Sequence, residues 1–325
     1  RALLPFLKDA TIRAIPLVEA LPAVYEMEEM LHALGPYAAG LNAARWDLKA
    51  SIFEFVMADP KAVWPDRFGV DIKTTPFLAN IFRRLVAVCL KRGAVPIGGM
   101  ATALPNPDPE VNRVAAESIR NDKVWEAEQG FIRAWVAHIF HMKAAAAPFK
   151  RVHGSGTWKP RPEMLNPDTY PVRIEVPAGP ITVEGTRRNA RMLIEYVEGW
   201  LQGRGAKGID SLAGKPGVHP ALMEDLATGR MSVAQIAQRI RHAARTTEGA
   251  PATHDAALVK RLLEEECEDI LRLLPSRDPE TEARYRKAVK IAQQWIKNYT
   301  RLDYRSLGSY TRADLEKIAT APDAL

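Results

Sequence analysis

The stretch TIRAIPLVEALPAVYEMEEMLHALGPYAAGLNAARWD, residues 11–47, decides the fold of this chain. An apolar run closes at Glu19. Val24, Met27, Leu31 and Leu34 then recur at helical spacing, and a second apolar run at 38–43 leads to Asp47. Continuous aliphatic runs suit buried strands, and the recurrence between them suits an amphipathic helix, so the stretch predicts a βαβ unit. Pro16 cannot donate to a sheet ladder and predicts a bulge or a shortened first strand. Parallel strands end at the same rim, where α/β barrels keep their sites. Acids closing both strands would set Glu19 and Asp47 side by side, a pair suited to a hard divalent cation such as Mg²⁺. Spacing alone favours a helix N-cap and a loop acid, a reading that stays open beside the metal pair.

Outward from this unit, residues 1–10 read as a helix end or linking loop. PFLANIFRRLVAVCLK at 76–91 predicts a helix with proline in its first turn, stopped by Gly93. AVPIGGMA supplies the next strand, in which Gly98 and Gly99 would let the backbone approach a ligand. A long helix follows from Asp108 or Pro109 through Glu128, and AWVAH at 134–138 reads as a short strand. Pro148, Pro160, Pro162, Pro167, Pro171, Pro177 and Pro180 mark a linker. Beyond it, helices are predicted at 187–203, 218–228, 232–246, 255–274, 279–299 and 312–319, with Ser232 capping the third. Asp225 in the second would then be a surface helix acid.

Composition excludes several classes. At 47% hydrophobic and 26% charged residues, the 325-residue chain is that of an ordinary soluble globular protein, long enough for one large core and a smaller unit. It has no bilayer-length apolar run and no signal-peptide pattern, which predicts a cytoplasmic protein without membrane contact. Two cysteines, Cys89 and Cys267, are too few for a disulfide framework. The net charge of +6 is thinly spread, without basic runs interleaved with aromatics, which argues against nucleic acid as a partner.

The words around these residues carry more. VEALPAVYEMEEML and GLNAARWD, then RGAVPIGGMATALP at 92–105, AWVAH, EGTRRNARMLIEYVEGWLQGRG at 184–205 and HPALMEDLATGRMS at 219–232 come in an order that resembles malate synthase, in its shorter common form. The resemblance implies an α/β fold: a TIM-barrel portion at 1–146, incomplete at its N-terminal side, a proline-rich linker at 147–182 and a helical C-terminal cap at 183–325. It implies Mg²⁺ on Glu19 and Asp47, substrate contacts from Trp46, Asp47 and Trp135, and coenzyme A contacts around Gly98, Gly99 and Met100. It also makes Asp225 the base that deprotonates acetyl-CoA for condensation with glyoxylate to malate, the acyl-transfer step of the glyoxylate cycle. A related coenzyme A thioester carbon–carbon lyase and a non-catalytic family member are the alternatives. The chain begins at Arg1 rather than Met, and the resemblance implies earlier strands and an enolate-stabilising arginine, so an N-terminally truncated chain is expected. Ala44 stands where the resemblance places glycine, and a corner of positive φ there would strain it.

Overall fold

Pro16 sets the length of the first strand, β1 (Leu17–Val18). Its carbonyl accepts from Asn42 N at 2.9 Å, but without an N–H it adds nothing more to the ladder. The run that reads as a strand over 11–19 therefore contributes these two residues and an isolated bridge at Ala14. The computed structural model describes residues 11–154, 156–213 and 219–325; the expectation for residues 1–10 lies outside the described residues.

Two short helices, α1 (Leu21–Tyr25) and α2 (Met27–Leu34), stand where the spacing predicts one; Val24, Met27 and Leu31 are buried as expected, Leu34 is half-buried, and Leu21 is buried with them. They lead to β2 (Gly40–Ala43) and α3 (Arg45–Val56). Asp47 therefore does not close a strand but lies in the first turn of α3. RWDLKASIFEFV contains no breaker, and an acid in the first turn complements the positive end of the helix dipole. Next come α4 (Pro76–Lys91), β3 (Val95–Ala101), α5 (Pro109–Glu128), β4 (Arg133–Val136) and α6 (Met142–His153), which runs past residue 147 with Pro148 inside it. Asp108 caps α5 by accepting from Glu110 N at 2.8 Å. Among the described residues the four strands form one parallel sheet in the order β1-β2-β3-β4.

The C-terminal half holds α7 (Val183–Leu201), β5 (Lys207–Ile209), β6 (Leu222–Glu224), α8 (Leu226–Arg241), α9 (Ala256–Leu273), α10 (Pro279–Thr300) and α11 (Arg312–Thr320). To the expected helices the structure adds the antiparallel pair β5 and β6. Of the helix predicted at 218–228 only 226–228 are helical, as the start of α8, because residues 222–224 give their backbone to this pairing; 214–218 are not described. Nor does Ser232 cap a helix. Asp225 does, in a reciprocal capping box with Thr228, while the Ser232 hydroxyl, buried mid-helix, donates to Asn189 Oδ1 at 3.2 Å.

Helix α8 is buried around most of its circumference, between α3 on one side and α7 and α10 on the other. Two glutamines one turn apart on α8 hold the loop that follows α3. Gln238 accepts from Trp64 N at 3.1 Å and donates to Ala62 O at 2.7 Å. Gln235 accepts from Arg67 N at 3.2 Å and donates to Pro65 O at 2.6 Å. Arg239, one residue further on, pairs with Asp66 at 2.7 Å. The loop's Trp64, fully buried, packs on Phe53 of α3 and Phe77 of α4, with ring centroids 4.7 and 5.9 Å away. The two halves of the chain thus share one core.

Candidate active site

The backbone path at the end of β3 brings the C-terminal half to the sheet rim. Met223 N donates to Thr102 O and Leu104 N donates to Ala221 O, each at 2.8 Å, so the segment carrying β6 is stitched to residues 102–104. The chain then turns at Asp225 into α8. Asp225, whose Oδ1 accepts from Ala227 N at 3.0 Å, and Asp47 on α3 line one cavity of about 170 Å³. Trp46, Met100 and Trp135 line it as well, together with Leu17, Asn42, Arg45, Thr102 and Ala227, which the sequence does not single out as site residues.

Two acids act on a third here. Burial pushes the Asp47 carboxyl up to about 6; the charges of Glu19 and Asp225 push the same way, and Arg230 opposes them. Glu19 is exposed, one residue beyond β1. β1 and β2 are paired neighbours, with Val18 opposite Ala43, so Glu19, next after β1, and α3, which follows β2 and carries Asp47, start at the same rim of the sheet. Among the described residues no group of three or more His, Cys, Asp or Glu is placed to hold a metal ion. Two carboxylates are nonetheless the number Mg²⁺ commonly takes from a protein, with waters and substrate oxygens completing its shell, and excess negative charge at a polar rim fits a hard cation. Beside Asp225, Glu224 is buried, and burial pushes its carboxyl above the usual range although Arg67 pulls it down.

The corner that carries Asp47 is unstrained. Ala44 has φ −92° and ψ 107°, an extended conformation open to any residue, so the expected cost of replacing glycine there does not arise. What holds the corner is a buried ionic network behind it. Arg45, the first residue of α3, reaches α5 to pair with Asp122 at 2.7 Å and with Glu126. Lys123 Nζ, fully buried, lies 3.0 Å from Glu126 Oε1 and donates to Gly99 O at 2.6 Å, while Gly99 N donates to Glu126 Oε1 at 3.0 Å. Gly98 and Gly99 lie inside β3, and their missing side chains make room for this network. A Cβ on Gly98 would stand 2.1 Å from Glu126 Oε2, and one on Gly99 would stand 2.4 Å from Arg45 Nε. Of the three residues expected around coenzyme A, Met100 alone lines the cavity. Asn42, buried on β2, ties the same strand by donating to Gly98 O at 2.8 Å.

The network predicts a pH dependence. Burial pushes the Asp122 carboxyl up, but Arg45 and Lys123 outweigh it and hold it down at about 2, below its ordinary 3.8. A carboxyl depressed by folding stabilises in full above its unfolded value and loses that contribution as pH falls toward its folded one. Asp122→Asn should therefore cost stability at neutral pH and flatten the acid limb of the stability curve between about pH 4 and 2. Urea unfolding across that range is the measurement, and an acid limb as steep as in the parent would reject the assignment.

Comparison with known proteins resolves the family. The model described as malate synthase, TIM barrel domain, matches residues 5–162, and that described as malate synthase, C-terminal, matches residues 180–312. The chain belongs to the malate synthase family. Malate synthase A of Escherichia coli (strain K12) is 33% identical over 308 residues, covering 94% of this chain and 55% of that protein. A malate synthase of Streptomyces clavuligerus is 41% identical over 235 residues, covering 71% and 41%. The glyoxysomal malate synthase of Candida tropicalis is 35% identical over 266 residues, covering 80% and 46%. The chain spans about half the length of the curated relatives it matches. Among the described residues of this malate synthase family member, no helix is long and apolar enough to cross a membrane.

Proposed function

We propose that this malate synthase family chain carries the site for condensing acetyl-CoA with glyoxylate and hydrolysing the product to malate and coenzyme A. The observation that supports it is the single small cavity into which α3 brings Asp47 and the start of α8 brings Asp225. Glu19 and Asp47 would hold Mg²⁺, which when bound supplies Lewis-acid polarisation of the aldehyde. Asp225 takes a proton from the acetyl methyl, and the resulting carbanion's electron pair forms the new carbon–carbon bond to the glyoxylate aldehyde carbon, whose oxygen gains a proton to become a hydroxyl. Water then cleaves the thioester C–S bond, leaving a carboxylate and the coenzyme A thiol. A thioester α-carbon is a weak acid, so the base must lie within hydrogen-bond reach of it, and a narrow cavity serves that need. Trp46 and Trp135 wall the cavity and keep water off the carbanion, and Met100 supplies apolar surface. Gly98 and Gly99 serve the site by admitting Glu126 and Arg45. Both cysteines are buried and free, as suits a reducing compartment, and the cytoplasm is the proposed place of action.

The test is exchange of the acetyl-CoA methyl hydrogens with deuterated water, read by mass spectrometry, in a protein joining this chain to the front segment of the Escherichia coli relative. Exchange that requires Mg²⁺, with malate formed when glyoxylate is added, is the expected result. No exchange in a folded protein would reject the reading.

A further inference from the structure

Arg230 stands between two carboxylates of the same helix. Asp47 and Glu54 lie seven residues apart on α3, two turns along one face. Arg230, five residues into α8, donates from Nη2 to both oxygens of Glu54 at 2.9 Å and from Nε to its Oε1 at 3.3 Å. Its remaining nitrogen, Nη1, reaches Asp47 Oδ1 at the longer distance of 3.4 Å. Glu54 is itself held by α10 and the segment after it: Tyr299 OH of α10 donates to its Oε1 at 2.8 Å, and Tyr304 OH, just beyond the helix, donates to its backbone carbonyl at 3.0 Å. Tyr299 is fully buried, edge-on to Trp295 and Tyr304. The guanidinium is thus anchored on Glu54 by close, forked bonds and leans on Asp47 with what is left.

We propose that Arg230 is an internal counter-ion to the metal-binding carboxylate: it partly neutralises Asp47, Glu54 holds it back, and the balance between the two sets how tightly the rim takes a divalent cation. The proposal rests on the reading of Glu19 and Asp47 as Mg²⁺ ligands. It makes an unusual demand, that removing the two partners of one ion pair shift cation affinity in opposite directions. Without Arg230, Asp47 presents its full charge and binding tightens. Without the Glu54 charge, Arg230 turns wholly to Asp47 and binding weakens. A purely structural brace between α3 and α8 would instead loosen the site in both cases.

Isothermal titration of this chain with Mg²⁺ alone tests it, with circular dichroism melts to show that each variant is folded. Arg230→Gln should tighten Mg²⁺ binding about three- to tenfold, the scale of one unit charge about 4 Å away at a rim open to water, with a dielectric constant of about 80. Glu54→Gln should weaken binding by a similar factor, and Arg230→Lys, which keeps the charge, should stay close to the parent. Binding seen only in Arg230→Gln would support the proposal in its strongest form. Mg²⁺ binding by the parent with both charge-removing variants shifted the same way, or neither shifted, would overturn the counter-ion role while leaving the metal ligands standing. Absence of binding in the parent and in every variant would overturn the ligand reading and the counter-ion role with it.

Discussion

Replacing Asp225 by asparagine should lower the rate of acetyl-CoA methyl exchange at least about a hundredfold, the lower end of what a positioned general base contributes. The structure makes this substitution unusually clean. Asp225 caps α8, with Oδ1 accepting from Ala227 N and its own N–H held by the Thr228 hydroxyl at 3.1 Å. Asparagine caps helices about as well as aspartate, so the start of α8, its docking on α3 and the shape of the cavity should persist while the basic oxygen is lost. Mg²⁺ binding, which falls to Glu19 and Asp47, should stay nearly intact or weaken slightly as one nearby negative charge disappears. The assay is deuterium exchange in the joined protein described above, beside a melt of each variant. Equal exchange in the parent and Asp225→Asn would take Asp225 out of the mechanism and leave it as a helix cap.

The second large effect is on stability. Glu126→Ala should cost about 3–5 kcal/mol, the range found when one partner of a buried ion pair is removed. Glu126 is fully buried and receives Arg45, Lys123 and Gly99 N on one oxygen, while Lys123 Nζ also meets its second oxygen at 3.0 Å. Truncation leaves a buried ammonium with Gly99 O and Asp122 as its remaining partners, the latter at 3.2 Å, and leaves the Arg45 that starts α3 with Asp122 at 2.7 Å. Glu126→Gln keeps the size and one acceptor oxygen and should fall between the two. Urea unfolding measures the series. A loss below about 1 kcal/mol would mean that water reaches the network and that surface-type pairs hold the corner.

How legible this was in the sequence differs from residue to residue. The parallel unit, its strands and its long helices follow from apolar spacing, because α4, α5, α9 and α10 each carry a stripe bounded by proline or an N-cap. Asp225 stands out only through the words around it. Its own spacing reads as a surface acid, and Ser232, a good cap residue in the wrong place, misdirects the start of α8. The Lys123 and Glu126 pair has the i, i+3 spacing of an ordinary solvent-exposed bridge, which is identical whether the pair faces water or a strand. Its burial is decided by the two glycines of β3, a signal that reads more naturally as a ligand loop. Arg230 and Glu54 are 176 residues apart, and nothing local to either marks the pairing. Gly-to-Ala at position 44 suggests strain only if the corner's φ is assumed, and φ is what the sequence does not carry.

The seam between the halves has a consequence for how this protein can vary. Gln235 and Gln238 grip residues 62–67 through main-chain N–H and C=O groups alone. Such a grip recognises the course of the chain and is blind to most of the side chains along it. Positions such as Val63 are therefore free of this contact and open to drift, whereas proline at 64 or 67 would delete a donor outright. Selection on this grip falls on the two amides of α8, whereas within the loop it falls on Trp64, Asp66 and Arg67, whose side chains make contacts of their own. Related sequences could thus diverge at the loop positions between them while the halves stayed locked in the same relation.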